Sequence, residues 1–453
     1  MAGPDAEMPP AALGQDDAGA DGPSPSTLYP SPLHNKRIVL GVSGSIAAYK
    51  AADLASKLRQ AGALVDAVMT KGATEFITPL ALRAVTGRAV ITDMYDVHAD
   101  LAVEHVELAH AAECVVIAPA TAATLARLAM GLAEDMLSVT VLATTAPLVI
   151  APAMEANMFA HPATQANLAL LRQRGAVIVG PAAGHLASGR MGRGRMEQPE
   201  TIVEAIKLVL GRGRDLAGRR IVVSAGGTQE PIDPVRYVSN HSSGKMGYAI
   251  AEAARDRGAA VTLITTPVAL PPPYGVETVR VRRAVEMRDA VLAACRGADA
   301  LIMAAAVADF QPAEVAGQKI KKRPGQTGLT LELTRTPDIL ADVAAAAAER
   351  EDLRRLVRVG FAAESQDLLA NAAAKLHGKE LAFIAANDIT ATDAGFGTDT
   401  NRVLLLDEHG AKQLPLLSKY DVALALLDRL LVELRNREQG TGNRGKRPTA
   451  QPV

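Results

Sequence analysis

An α/β fold of two doubly wound domains, each with a mainly parallel sheet, is predicted from three features of the chain. Its 453 residues exceed what one ordinary domain holds. From Lys36 onward, short and continuously apolar runs alternate with amphipathic helical stretches. Strands that are apolar on both faces belong to parallel sheets covered by helices on either side. The alternation breaks once, at the Gly- and Arg-dense segment 211–219, and then starts afresh, which marks a linker between domains.

RIVLGVSG (37–44) reads as the first strand, SIAAYKAADLASKLRQAG as its helix and ALVDAVMT (63–70) as the second strand. AECVVIAPA (112–120), PLVIAPAM (147–154) and AVIVGP (176–181) are further strands, and the helix ETIVEAIKLVLG closes a domain over 36–210. Beyond the linker, RIVVSAGGT (220–228), AVTLITTP, ALIMAAAVAD (300–309), RVGFAAES (358–365) and LAFIAAND (381–388) resume the pattern. VLLLDEHGAKQLPLL (403–417) reads as a β-hairpin, and YDVALALLDRLLVEL as the last helix of a domain over 220–436. Residues 1–35, rich in Pro, Ala, Gly and Asp, and the tail 437–453 are expected to be disordered. The N-terminal stretch lacks the basic start and apolar middle of a signal peptide.

Hydrophobic residues make up 49% of the chain, enough for two cores, and with no Trp and 3% aromatics those cores must be aliphatic. A net charge of −1 argues against nucleic acid or an anionic membrane as partner. No apolar run reaches the roughly 18–20 residues of a spanning helix. Cys114 and Cys295 sit in apolar runs, as buried thiols of a reducing compartment do, so a cytoplasmic location is expected.

The turn in GVSGSIAAYK places Gly44 and Ser45 at a helix start, where backbone amides and the helix dipole favour an anion. Taken alone, the same residues equally suit a tight turn and a helix cap. Thr70 after the second strand, and Pro119 and Thr121 after the fourth, converge with them at the carboxyl edge, where doubly wound sheets bind ligands. With HVELAH (105–110), APATAATLARLAMGLAEDML and APAM (151–154) in this order, residues 36–208 resemble the flavoproteins that decarboxylate peptidyl or phosphopantothenoyl cysteine, of flavodoxin/Rossmann-like fold.

That resemblance implies FMN, held by Gly44, Ser45, Thr70, Pro119 and Thr121. It implies a route in which the substrate thiol is oxidised to a thioaldehyde, CO₂ leaves, and the reduced cofactor returns the hydride. His105 matches the family's essential histidine, an acid–base or orienting group. Two positions depart from the family pattern. Glu155 stands where an asparagine often grips the substrate carboxylate, and repels it unless protonated or turned away, with Asn157 as a substitute. Ser188 stands where a cysteine often protonates the enethiol, and a hydroxyl is a far weaker acid. The glycines and Arg195-Met196 of LASGRMGRGRM are retained.

In residues 224–251 a strand ends in Gly226-Gly227-Thr228, a nest-forming turn suited to phosphate, and Asn240, Ser243 and Lys245 stand at the start of a helix. The glycine spacings of dinucleotide-binding and P-loop motifs are absent. DPVRYVSNHSSGKMG, AAAVADF (304–310), KIKK (319–322), TPDIL (336–340), GFAAES (360–365) and the lysines of KLHGKELAFIAAND are similar, in order, to the ligase that joins phosphopantothenate to cysteine. The similarity covers about residues 219–430.

It implies that the substrate carboxylate attacks the α-phosphate of CTP to give an acyl-CMP, from which cysteine displaces CMP. Lys319, Lys375 and Lys379, with Mg²⁺ carried mainly by the CTP phosphates, neutralise the gathered negative charge. Asp309 matches a nucleotide-binding aspartate, and Phe361 with Pro337, Asp338, Ile339 and Leu340 shapes the cytidine pocket. Asn240 and Arg236 hold the intermediate, and Gly226, Gly227, Ser243, Lys245 and Ala306 complete the binding set.

Together the two halves are expected to turn 4′-phosphopantothenate, L-cysteine and CTP into 4′-phosphopantetheine, in a homo-oligomer whose flavin half is trimeric and ligase half dimeric by analogy. Two other readings stay open: a working ligase with a flavin half impaired or repurposed through Glu155 and Ser188, and an oxidoreductase binding NAD(P) at Gly226-Gly227.

Overall fold

The structure, a computed structural model, describes residues 30–95, 104–322, 324, 327–364, 368–388 and 397–442. In the first half, β1 (Arg37–Val42), β2 (Leu64–Met69), β3 (Val90–Ile91), β4 (Cys114–Ala120), β5 (Leu148–Pro152) and β6 (Val177–Ile178) form one sheet, ordered β3-β2-β1-β4-β5-β6. Every pairing in it is parallel. The order reverses between β1 and β4, the Rossmann arrangement rather than the flavodoxin one. Successive side chains of a strand point to opposite faces. Accordingly, Ile38, Leu40 and Val42 pack with one set of helices while Val39 packs with the other, all of them buried. β7 (Ala182–His185) and β8 (Met191–Arg195) fold back as an antiparallel hairpin.

The second half contains β9 (Arg220–Ala225), β10 (Gln229–Pro231), β11 (Tyr237–Ser239), β12 (Ala260–Thr265), β13 (Glu277–Arg280), β14 (Ala300–Met303), β15 (Phe310–Pro312) and β16 (Leu333–Arg335). It continues through β17 (Val357–Glu364), β18 (Phe383–Asp388), β19 (Thr400–Asn401), β20 (Val403–Asp407), β21 (Gly410–Gln413) and β22 (Leu417–Ser418). Its main sheet runs β13-β12-β9-β14-β17-β18-β20-β21, parallel as far as β18 and closed by the antiparallel β20–β21 hairpin. The same switch in strand order thus occurs twice, between β1 and β4 and between β9 and β14.

The text after Thr121 was expected to be one helix through Asp135. Instead Gly131, at φ 71°, ends the helix Ala122–Met130, and Asp135 caps a new one, Met136–Ala143, by accepting from the Ser138 N–H at 2.8 Å. The antiparallel ribbons β10–β11 and β15–β16 fall where only loops were expected, because strands of three residues show no periodicity. Residues 30–35, assigned to the disordered extension, include a turn whose Leu33 is fully buried against the first core. Residues 437–442, assigned to the tail, continue the helix Lys419–Gly442, tied down by Arg437 donating to the Leu356 carbonyl at 2.8 Å. Residues 1–29 and 443–453 lie outside the described residues.

The halves meet where the helix Pro199–Gly211 lies on the helix Lys245–Asp256. Arg255, 1% exposed, donates to Asp256 Oδ1 from Nε and Nη2 at 2.9 and 2.7 Å. Its Nη1 reaches across to Glu204 Oε2 at 3.2 Å and to the Tyr274 carbonyl at 2.8 Å. The Tyr420 hydroxyl donates to Asp256 Oδ2 at 2.7 Å. Removing one partner of a buried charge cluster leaves the others desolvated and unpaired. Arg255→Met therefore lowers the unfolding free energy by about 3–5 kcal/mol, seen as a lower urea midpoint. Burial, and next the charge of Glu204, push the Glu252 carboxyl up to about 7. A folded-state value above the ordinary carboxylate one means that stability is full at low pH and falls as pH rises from roughly 4 to 7. Glu252→Gln should accordingly raise the melting temperature at pH 8 and leave it nearly unchanged at pH 4.

Candidate active sites

In the first half the ends of β1, β4 and β5 and the β7–β8 hairpin enclose a cavity of about 680 Å³. Ser43, fully buried beneath it, stitches the switch point: its hydroxyl donates to the Pro119 carbonyl at 2.8 Å and accepts from the Thr121 N–H at 3.0 Å. Above this, Gly44 and Ser45 form the turn into the helical segment. A Cβ on Gly44 would lie 2.8 Å from the Gly72 carbonyl, so main chain presses on main chain and only glycine fits. Thr121 caps the helix Ala122–Met130 by accepting from the Thr124 N–H at 3.2 Å. Ile46, Phe76, Met154 and Met158 supply apolar wall, while Lys50 and Arg195 supply positive charge. Burial, and next the neighbouring Arg195 charge, hold the Lys50 ammonium below its usual range.

Of the residues expected here, Gly44, Ser45, Thr121, Glu155 and Ser188 line the cavity together. Thr70, Pro119 and His105 do not. Pro119 serves through its carbonyl, and Thr70 stands beside Gly72 as the cap of the short helix Lys71–Thr74. His105 sits at the start of the helix Glu104–Ala111, apart from this chain's own cavity. Glu155 is turned aside: its Oε2 accepts from the Asn157 N–H at 2.6 Å and caps the helix Ala156–Ala160. Asn157, expected as a substitute, is exposed and outside the cavity wall. Ser188 is exposed in the turn joining β7 to β8. The hairpin is pressed on the segment before Glu155: the Met154 N–H donates to the Gly194 carbonyl at 2.9 Å, and a Cβ on Gly194 would come within 2.1 Å of the Met154 carbonyl. Lys50 and Ser43 were missed as site residues. Lys50 closes the GVSGSIAAYK run, and its spacing from Ser45 was the available signal.

In the second half, residues beyond β14 and β17 surround a pocket of about 380 Å³. It gathers Asp309, Pro337, Asp338, Ile339, Leu340, Phe361, Lys375 and Lys379, all expected for nucleotide. Asp338 Oδ1 caps the helix Ile339–Glu349 by accepting from the Ala341 N–H at 3.2 Å, and its Oδ2 pairs with Lys379 Nζ at 3.0 Å. Lys375 and Lys379 are four residues apart at the end of the helix Leu368–Gly378, which brings both over the same pocket.

A second group adjoins this pocket. Asn240 Nδ2 donates to the Val307 carbonyl at 3.1 Å, and Val307 is part of the pocket wall. Arg236 is fixed by Asp233, Nε to Oδ2 at 3.0 Å, and donates to the Ile320 carbonyl at 3.2 Å, next to Lys319. The Arg236 guanidinium holds the buried Asp233 carboxyl far below the usual range. Gly226, Gly227 and Ala306 meet where the Ala306 N–H donates to the Gly226 carbonyl at 2.8 Å. Ser243 lies just before the helix that Lys245 begins. Lys245 itself is directed elsewhere: its Nζ donates to the Gly397 carbonyl and pairs with Asp399, both at 2.7 Å. Among the described residues, no three His, Cys, Asp or Glu side chains are grouped to hold a metal, and no helix is long and apolar enough to cross a membrane.

Residues 26–211 match the family described as Flavoprotein, and residues 216–433 match the DNA/pantothenate metabolism flavoprotein C-terminal domain. The chain is 45% identical over 398 residues to the Coenzyme A biosynthesis bifunctional protein CoaBC of Vibrio vulnificus (strain YJ016), covering 88% of this chain and 98% of that one. It is 44% identical over 402 residues to the protein of that name from Bacillus subtilis (strain 168), covering 88% and 97%. A crystal structure of the C-terminal domain of a CoaBC protein aligns at 38% identity and a TM-score of 0.41, covering 49% of this chain and 100% of that one.

The Gly44–Gly72 contact gives the first site a direct test. Gly44→Val must separate the two backbones, at the roughly 1–3 kcal/mol that overpacking costs. Flavin retention, read as the ratio of visible to ultraviolet absorbance of the purified protein, should fall about tenfold or more.

Proposed function

The chain belongs to the CoaBC family of bifunctional coenzyme A biosynthesis proteins, and from that premise we propose that CTP drives its ligase step and FMN its decarboxylase step. It carries both activities: cysteine is joined to 4′-phosphopantothenate, and the resulting 4′-phosphopantothenoylcysteine is decarboxylated to 4′-phosphopantetheine. We place the enzyme in the cytoplasm.

The observation that carries the nucleotide reading is the convergence of Asp309, 337–340, Phe361, Lys375 and Lys379, from four separated segments, on one pocket. Phe361 and the 337–340 turn offer a slot for a flat base, and the two lysines lie where a triphosphate leaves it. Mg²⁺ enters with those phosphates. Arg236 and Lys319 flank the reacting carboxylate, so the repulsion between carboxylate and phosphate is offset on the acyl side, while Asn240 orients the acyl-phosphate for the cysteine amine.

In the first half, apolar walls beside the amides of the Gly44–Ser45 turn fit a flat ring system bearing a phosphate, as in FMN. When bound, the flavin supplies the acceptor and then the donor of a hydride. The chain's own groups would hold the substrate against it: the β7–β8 hairpin forms one wall of the cavity, and Ser188 in its turn lines that wall. His105, lying apart from this cavity, suits a site completed by a second copy of the chain, in keeping with trimeric flavin halves and dimeric ligase halves. The Glu155 carboxylate is occupied as a helix cap, which supports a working decarboxylase over an impaired one.

Incubation with 4′-phosphopantothenate, cysteine, CTP and Mg²⁺ should yield CMP, pyrophosphate, CO₂ and 4′-phosphopantetheine by mass spectrometry. Turnover with ATP but not CTP would overturn the nucleotide assignment, and accumulation of phosphopantothenoylcysteine would overturn the decarboxylase one. Lys319→Gln should lower the rate of CMP release about 10²-fold, as loss of one charge-stabilising donor does, with the visible flavin spectrum unchanged.

A further inference from the structure

Arg195 ends β8 and lines the first cavity. Its place is set by two close approaches. Gly194, beside it in the chain, is pressed on the Met154 carbonyl, which brings β8 against the turn that carries Glu155. Gly184 on β7 leaves room for the guanidinium itself, since a Cβ there would meet Arg195 Nη1 at 2.8 Å. Among the described residues, no carboxylate lies within ion-pair distance of this guanidinium. The nearby Glu155 spends its carboxylate on the Asn157 N–H, and Lys50, which lines the same cavity, donates to the Met196 carbonyl at 3.1 Å. The wall at this point therefore presents a guanidinium backed by an ammonium, with the one cavity-lining carboxylate facing a backbone amide.

We infer that Arg195, backed by Lys50, receives the carboxylate of the cysteinyl substrate, so that the group to be lost is recognised from β8 rather than from position 155. The inference rests on the flavin-dependent decarboxylase reading of this half. A guanidinium binds a carboxylate through two parallel N–H donors and fixes its plane as well as its place. That fixed plane matters for the step that follows. The bond from Cα to the carboxylate breaks, its electron pair passes through Cα–Cβ towards the thiocarbonyl sulfur, and CO₂ departs. Arg195 gives and takes no proton in this step.

The test uses the FMN-loaded full chain and two unreactive probes. One is 4′-phosphopantothenoylserine, whose hydroxyl replaces the thiol. The other is the matching ethanolamide, which differs only in lacking the carboxylate. Binding is followed by calorimetry and by perturbation of the flavin absorbance. Arg195→Gln should weaken the serine probe about tenfold or more while changing the ethanolamide by less than about twofold, the contrast expected when one charge-assisted contact is lost. Arg195→Lys should recover part of the loss. Equal weakening of both probes would assign Arg195 to the phosphate or to the hairpin and overturn the inference. Unchanged binding of both, or loss of FMN from the variant, would overturn it as well. Failure of the unaltered protein to bind either probe would instead sink the decarboxylase reading beneath it.

Discussion

In both halves the first strand turns into its helix at a place where main chain lies directly on main chain, and the position of each site follows from that contact. Gly44 rests on Gly72 in the first half. In the second, Gly226 takes φ +84° at the turn, and Gly247, one turn into the helix, sits where a Cβ would be 2.7 Å from the Ser224 carbonyl. The sheet order reverses beside these contacts, so the loops after β1 and β4, and after β9 and β14, splay to opposite faces and leave a crevice between them. In the second half that crevice is partly closed by the Gly226–Ala306 pairing, which moves the pocket sideways to β14 and β17. A side chain at Gly247 would push its helix off the strand, whereas one at Gly44 would press on the Gly72 main chain and one at Gly226 on the Thr266 side chain.

The charges at the two sites are arranged differently, in keeping with what each must hold. Around the second pocket lysines and arginines outnumber carboxylates: Asp338 caps a helix and pairs with Lys379, and Asp233 braces Arg236. The first cavity is the larger of the two and sets two cations beside more apolar wall, where burial, and next the Arg195 charge, lower the Lys50 value. Two like charges held near one another bind an anion more readily than either alone, since each loses repulsion when it arrives.

Most of this was legible in the sequence because parallel strands buried on both faces leave unbroken apolar runs such as CVVIAPA and LVIAP. The residues that line the second pocket together, Asp309, 337–340, Phe361, Lys375 and Lys379, were legible as well, since they carry recognisable local motifs. What escaped was geometry between segments. Nothing in the text around Glu155 states that its carboxylate reaches two residues on to a backbone amide, and nothing around Lys245 states that Asp399 lies beside it. Thr70 and Pro119 were read as ligand contacts because they end strands at the right edge. Strand ends also have to join each other, and Pro119 is used for that through Ser43. The ribbons β10–β11 and β15–β16 escaped for a simpler reason: segments this short take their shape from cross-strand partners rather than from their own pattern.

The junction between the halves rests on buried charge, a choice that carries a cost. An apolar joint of the same volume would avoid the desolvation of Arg255, Asp256 and Glu204. What the charged cluster adds is direction. Arg255 addresses its own helix through Asp256, the other half through Glu204, and the 274 loop through a carbonyl, so sliding one helix along the other breaks several charge-assisted contacts at once. Glu204 also accepts from the Tyr274 N–H at 2.8 Å, which ties the same carboxylate to both sides. Gly211 lets the two helices approach closely, since a Cβ there would lie 2.5 Å from the Asp256 carbonyl oxygen. An apolar seam would favour contact without choosing an angle, whereas these directional contacts favour the one in which all of them are made. The Tyr420 hydroxyl on Asp256 extends the constraint to the last helix, so the three helices at the joint share one buried charge cluster.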